Sequence, residues 1–188
     1  MVIPESSVHA PRRVLGIDPG LRVTGYGVLD ISGNAMTVVE AGVVRAESEG
    51  ALESRLSAIY DGISEVIAEH QPEVAVVEEL YSTYRHPRTA ILMGHARGAI
   101  FLAADQGGVP VVSYGATEMK RAVTGNGRAS KAQIQRTVQQ RLGLRSAPSP
   151  SDVADALALA FCHAIRCRTD DPLECGGKAK RRHRFGEQ

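Results

Sequence analysis

Apolar residues along the chain follow two rhythms. Residues 14–19, 24–31 and 36–45 are β-rich runs separated by Gly20 and by the turn Ser32-Gly33-Asn34, a pattern that predicts a three-stranded antiparallel meander. Leu52, Leu56, Ile59, Ile63 and Ile67 then recur at spacings of three and four, so residues 51–69 are expected to form an amphipathic helix ending before Pro72. Val74–Glu78 is a short continuous apolar run ending in acid, the pattern of a buried parallel strand that would pair with the first. Further on, helices are expected at 88–105, 117–123 and 131–142, with a strand at 109–113 after Gly107-Gly108. Pro148 and Pro150 stiffen the connection 146–151 into a last helix, 152–166. Strands first, then helices alternating with single strands, predict an α/β domain: a mixed five-stranded sheet, three strands antiparallel plus two parallel, flanked by helices.

Composition changes this picture little. A chain of 188 residues, 43% hydrophobic and 23% charged, has the size and mix of one soluble domain. That domain is expected over 13–167, after an N-terminal extension, 1–12, and before a basic tail, 168–188, with too little apolar content to order itself. No run reaches the length of a membrane span and the first residues lack the features of a secretory signal, so a cytoplasmic protein without membrane contact is expected. Cys162, Cys167 and Cys175 match neither a zinc knuckle nor a redox pair and read as reduced bystanders. Cys162-His163 lacks a second ligand pair at metal spacing, so zinc is not expected. Net charge is only +1, but its distribution is uneven: residues 119–145 carry Lys120, Arg121, Arg128, Lys131, Arg136, Arg141 and Arg145 with no acid, and a second basic cluster spans 178–184.

The chemistry lies in acids placed where a core would favour apolar groups. Asp18 ends the first apolar strand, Glu78 and Glu79 end Val74–Glu78 and its successor, and Asp152 and Asp155 open a helix rich in Ala and Leu. A buried carboxylate costs several kcal/mol unless something positive compensates it, and no Lys or Arg adjoins any of these in sequence. Divalent cations would supply the compensation, since Mg²⁺ takes a few carboxylate oxygens and keeps several waters. Parallel pairing would bring Asp18 to the same sheet end as Glu78 or Glu79, and Asp152 and Asp155 share a helix face. Glu78 and Glu79 point to opposite sides of a strand, so only one belongs to such a site, and periodicity does not choose between them. Each acid also has a plainer role open to it. Asp152 can complete a capping box with Ser149 as N-cap and Pro150 at the first helical position, Asp18-Pro19-Gly20 can be a turn, and the glutamates can be a solvated strand end.

Taken in order, the segment from Gly16 to Gly27 (GIDPGLRVTGYG), the segment from Val77 to Tyr81 (VEELY) and the segment from Ser151 to Ala158 (SDVADALA) resemble the acidic motifs of the RuvC family of Holliday-junction resolvases. The resemblance runs from about Arg13 to Ile165 and takes in Gly94-His95-Ala96-Arg97-Gly98 and the stretch from Lys120 to Gln135. It implies an RNase H-like fold with Asp18, Glu78, Asp152 and Asp155 as catalytic, metal-holding acids, and so selects Glu78. Some relatives carry His at the position of Asp152; this chain matches the all-carboxylate version. Two Mg²⁺ per site, with Mn²⁺ able to substitute, would lie roughly 3.5–4 Å apart and drive phosphodiester hydrolysis to 5′-phosphate and 3′-hydroxyl ends.

The same resemblance places Tyr81 as a ring for stacking on an unpaired base, and Lys120 and Lys131 near the scissile phosphate. Arg128, in the loop between them, is a further candidate DNA contact. Implied partners are four-way junction DNA, a second copy of the chain, because paired symmetric nicks require two sites related by a two-fold axis, and the RuvA and RuvB branch-migration proteins. Small residues at Gly94, Ala96 and Gly98 permit close packing across such an interface or within the subunit. Two other readings stand beside this one: an RNase H-like nuclease for another branched or RNA-containing substrate, and a non-catalytic junction-binding module. The sequence Gly16-Ile17-Asp18-Pro19-Gly20 also resembles the phosphate loop of actin-like ATPases and sugar kinases, which need two related domains that 188 residues do not accommodate.

Overall fold

The computed structural model describes residues 12–47, 50–80 and 87–167. Ten elements follow in order: β1 (Arg12–Asp18), β2 (Val23–Ser32), β3 (Ala35–Arg45), α1 (Leu52–His70), β4 (Val74–Glu78), α2 (Pro87–Gln106), β5 (Val111–Tyr114), α3 (Ala116–Thr124), α4 (Lys131–Arg141) and α5 (Ser151–Arg166). The strands form one sheet in the order β3-β2-β1-β4-β5, antiparallel across β1–β2–β3 and parallel across β1–β4–β5. This is the expected mixed sheet, and most boundaries move by a residue or two. β1 begins at Arg12, inside the segment read as an extension, because Arg12 pairs with Ile31 of β2. β5 starts later and ends later than expected; Tyr114, which is fully buried, closes it. The rest of the N-terminal extension, the segment 81–86 and the basic tail lie outside the described residues.

Alternation along the strands divides the core in two. Val14, Val74, Val76, Val112 and Tyr114 face α3, α4 and α5, whereas Leu15, Ile17, Ala75 and Val77 face α1 and α2. Pairing register is held by a polar clamp as well as by burial. Arg13 donates through Nε and Nη2 to both oxygens of Asp30, its cross-strand partner, at 2.7 and 2.8 Å, and through Nη1 to the His70 carbonyl at 2.9 Å. A slip of one residue would separate this pair and turn every side chain to the other face.

α5 is buried nearly all round, with Val153, Leu157, Phe161 and the intervening alanines enclosed between the sheet and α3 and α4. Its closeness to the sheet is set by glycines. A Cβ on Gly16 would fall 2.0 Å from the Ala156 carbonyl oxygen, and one on Gly25 would fall 2.1 Å from that of Asp152. Both distances are impossible for real atoms, so backbone meets backbone only because these positions carry no side chain. Gly16→Ala is therefore expected to cost at least about 2 kcal/mol of unfolding free energy, measured by urea denaturation, since the helix must lift off the sheet.

Candidate active site

Strand alternation decides what the sequence left open between the two glutamates. Val74 and Val76 point to the α5 face, so Glu78 shares that face, while Glu79 falls with Ala75 and Val77 on the side of α2. Val14 likewise puts Gly16 and Asp18 on the α5 face. β1 and β4 run parallel and in register, Ile17 beside Val77, so Asp18 and Glu78 emerge together at the carboxyl end of the sheet. Gly25, the cross-strand partner of Asp18, is the residue on which the Asp152 backbone rests, and this lays the first turn of α5 over the same point.

Electrostatics link Asp18, Glu78 and Asp155. The Asp18 carboxyl is pushed up to about 8, first by burial and then by the charges of Asp155, Glu78 and Asp152, with Lys131 pulling the other way. Glu78 is raised by burial and by Asp155, against Lys120 and Lys131. Asp155 is raised by burial, against the charge and hydrogen bond of Lys131, with Asp152 adding to the rise and Lys120 opposing it. The compensating cations thus come from elements distant in sequence. Lys131 opens α4 and sets its Nζ 3.5 Å from Asp155 Oδ2, with its side chain 69% exposed and that of Asp155 15%. The Ser130 side chain and backbone close a reciprocal capping box with Gln133, which fixes that helix start.

The capping box that was the plainer alternative for Asp152 does not form. The residue before α5 is Pro150, with no side-chain cap, and Ser149 lies outside the helix, so Asp152 has no reciprocal capping role there. Of the expected DNA contacts, Lys120 is half-buried on α3, Arg128 is exposed in the loop before α4, and Tyr81 lies outside the described residues. The basic loop is ordered by Asn126, whose Oδ1 accepts from the Arg128 amide at 2.9 Å, and by Thr124, which accepts from the Asn126 amide at 3.1 Å.

Sequence reasoning missed two clusters. Arg97 of α2 donates from Nε to the Glu78 carbonyl at 3.1 Å and from Nη2 to Ser113 Oγ at 2.7 Å, with its guanidinium 4.2 Å from the Phe101 ring centre. Elsewhere, Glu40, Glu69 and His70 bring ligand atoms within 4.8 Å of one another, the one such group of three among the described residues. There Glu40 accepts from the Tyr26 hydroxyl and meets His70 Nε2 at 2.9 Å, so its oxygens are already engaged. The acids at the sheet end are spread more widely than that trio. Cys162 and Cys167 are buried, and burial pushes the Cys162 thiol up to about 12, so it stays protonated. His163 is driven down to about 4, chiefly by burial, and its Nδ1 lies 3.0 Å from the Tyr114 hydroxyl. A hollow of about 550 Å³ between α1 and α2, lined by Tyr60, Ile67, Gln71 and Val109, opens at the other end of the sheet. The acids lie away from it, at the carboxyl end of the sheet.

A mixed sheet in this order, carrying acids at the ends of its first and fourth strands beneath a crossing helix, is an RNase H-like fold. A family model described as crossover junction endodeoxyribonuclease RuvC matches residues 14–163. The chain belongs to that RuvC family. A crossover junction endodeoxyribonuclease RuvC of Rhodopirellula baltica is 51% identical over 149 residues, covering 79% of this chain and 84% of its own length. Among solved structures, Thermus thermophilus RuvC superposes with a TM-score of 0.76 at 37% identity, covering 83% of this chain and 95% of that one. The T. thermophilus protein in complex with a Holliday junction substrate gives 0.75 at 35%, covering 84% and 95%. No helix among the described residues is long and apolar enough to cross a membrane.

The elevated Asp18 pKa has a thermodynamic sign. Because the folded value lies above the unfolded one, the bound proton stabilises the metal-free fold fully below about 3.8, and that contribution is lost as pH rises through about 8. In chelator, the protein is expected to lose stability between pH 5 and 8. Asp18→Asn should remove much of that loss and be more stable than the parent at pH 8 by on the order of 2 kcal/mol. Thermal melts at the two pH values test this, and identical pH profiles for the two proteins would contradict it.

Proposed function

We propose that this chain resolves four-way DNA junctions by metal-dependent hydrolysis of two symmetrically placed phosphodiesters, with Asp18, Glu78, Asp152 and Asp155 holding two Mg²⁺. The observation that carries the reading is four carboxylates from β1, β4 and α5 at one sheet end, offset among the described residues by Lys120 and Lys131, with Asp18, Glu78 and Asp155 all harder to ionise than free acids. Hard oxygen donors in negative excess fit Mg²⁺, and equally Mn²⁺ as a substitute. When bound, the ions supply neutralisation of the phosphodiester and a water acidic enough to attack it.

The chain's own residues do the rest. Lys131 and Lys120 border the acids, so a phosphate seated there meets both cations, and Lys131 can exchange its contact with Asp155 for a phosphate oxygen. Arg128, exposed in the adjoining loop, extends this positive surface along the DNA backbone. Tyr81, three residues past Glu78, is the ring for an unpaired base at the junction centre.

Two sites need two subunits, and α2 offers the seam. Ala96 is buried in its own subunit, but Gly94 and Gly98 face open space, in line with Ile91 and Leu102, which are 61% and 51% exposed. The spacing 91, 94, 98, 102 is one helix face, apolar at both ends and bare in the middle, where a second copy of the same helix fits closely. The RuvA and RuvB proteins are the partners proposed on family grounds, and the domain is read as 13–167 with a basic tail adding nonspecific affinity for DNA.

Incubation with a synthetic four-way junction, a flap and a hybrid duplex, with and without Mg²⁺, tests the assignment. Nicks with 5′-phosphate and 3′-hydroxyl ends on the junction alone, abolished by chelator, are expected. Asp18→Asn and Glu78→Gln should bind the junction and lower cleavage by at least a thousandfold, whereas cleavage at the normal rate would remove the residue from the site. Ile91→Glu with Leu102→Glu should sediment as a monomer and nick one strand rather than two; a dimer in that variant would place the seam elsewhere.

A further inference from the structure

The peptide that joins Glu78 to Glu79 is held from both ends. The Glu79 amide donates to the Tyr114 carbonyl of β5 at 2.9 Å, and the Glu78 carbonyl accepts from Arg97 Nε at 3.1 Å. Arg97 in turn is fixed by its second fork atom on Ser113 Oγ, 2.7 Å away, and by the Phe101 ring beneath its guanidinium. Ser113 belongs to β5, Phe101 lies one turn along α2 from Arg97, and both sit on the face opposite α5. A half-buried guanidinium in such a frame has little rotational freedom left, and its rigid planar fork satisfies two acceptors that a lysine cannot reach together.

The position is notable because β4 ends at Glu78. At a strand end fewer ladder bonds hold the peptide, so its amide bond to Tyr114 and its carbonyl bond to Arg97 together fix the backbone that carries the Glu78 side chain. The cations that pull the Glu78 carboxyl down are Lys120 and Lys131, and the acid that raises Arg97 is Glu79, so the contact that ties Arg97 to Glu78 is the hydrogen bond to its carbonyl. Its contact is to the backbone, from underneath the sheet.

We propose that Arg97, anchored by Ser113 and Phe101, is a positioning residue that sets the orientation of the Glu78 carboxylate toward its metal. The proposal rests on the reading of Glu78 as a metal-holding acid. Arg97 reaches the reaction only through that carboxylate and touches neither DNA nor ion.

The test compares Arg97→Lys, Arg97→Ala and Ser113→Ala with the parent in full-length protein. Three quantities are measured: single-turnover junction cleavage against Mg²⁺ concentration, Mn²⁺ affinity by electron paramagnetic resonance of the free ion, and junction affinity in Ca²⁺. Arg97→Lys keeps the charge and loses the fork, so it should slow saturated cleavage about tenfold to a hundredfold, the usual consequence of a displacement near 1 Å. It should also raise the Mg²⁺ and Mn²⁺ concentrations for half-occupancy severalfold and leave junction affinity within about twofold. Ser113→Ala should show the same pattern more weakly, and it carries the test together with Arg97→Lys if Arg97→Ala fails to fold. Parent-like cleavage and Mn²⁺ affinity in Arg97→Lys overturn the proposal, as does a loss confined to junction binding, which would make Arg97 a DNA contact. Glu78→Gln separates the two layers: if it cleaves normally, the metal role of Glu78 fails; if it is inactive while the Arg97 variants match the parent, the positioning role alone fails.

Discussion

Where α5 crosses β1 and β2, main chain rests on main chain, and the geometry of the acids follows from that contact. Two of the four carboxylates belong to the sheet and two to the helix, so their separation depends on how deeply the helix settles. Gly16 and Gly25 leave the carbonyls of Ala156 and Asp152 the space a methyl would occupy. Leu157 packs similarly over Gly27, where a Cβ would fall 2.6 Å from its side chain. The alternation of glycines along the strands is thus part of the acidic site, although none of them carries a functional group. The alanines of α5 serve the same end from the other side, keeping the helix narrow where α3 and α4 press upon it.

A site assembled this way works against the stability of its own fold. Burial and mutual repulsion raise Asp18, Glu78 and Asp155 together, and the two lysines oppose the rise without cancelling it. The lysines come from α3 and from the capped start of α4, elements whose other contacts are with α5 in the same core. Acids and lysines therefore share one packed body, and the spacing between charges is set by apolar contacts that take no part in chemistry. The Arg97 frame supports the site from the opposite face, through a carbonyl rather than through charge.

Much of this was legible in the residues, for identifiable reasons. β1 to β4 and α1 declare themselves because alternation and three-four spacing are strong over seven or more residues or, in Val74–Glu78, because every position but the last is apolar. Convergence of Asp18 and Glu78 followed once two parallel strands were assumed. The choice of Glu78 over Glu79 did not, because it depends on which face α5 covers, and that is a tertiary fact. Ser149 with Pro150 and Asp152 mimicked a capping box that the chain builds instead at Ser130 and Gln133, where no proline intervenes. Arg97 sits in a segment flagged only by family likeness, and its key acceptor is a backbone carbonyl, a group present at every residue and so invisible to pattern reading.

The adjacent glutamates at the end of β4 invite one more conclusion. Two neighbouring acids look like redundancy, a spare for the case in which the first is lost. Strand alternation argues against this: Glu79 follows Ala75 and Val77 toward the α2 side, where its charge acts on Arg97. To bring it into service the strand would have to shift by one residue and invert its four valine and alanine neighbours. Duplication in sequence here confers no equivalence in space.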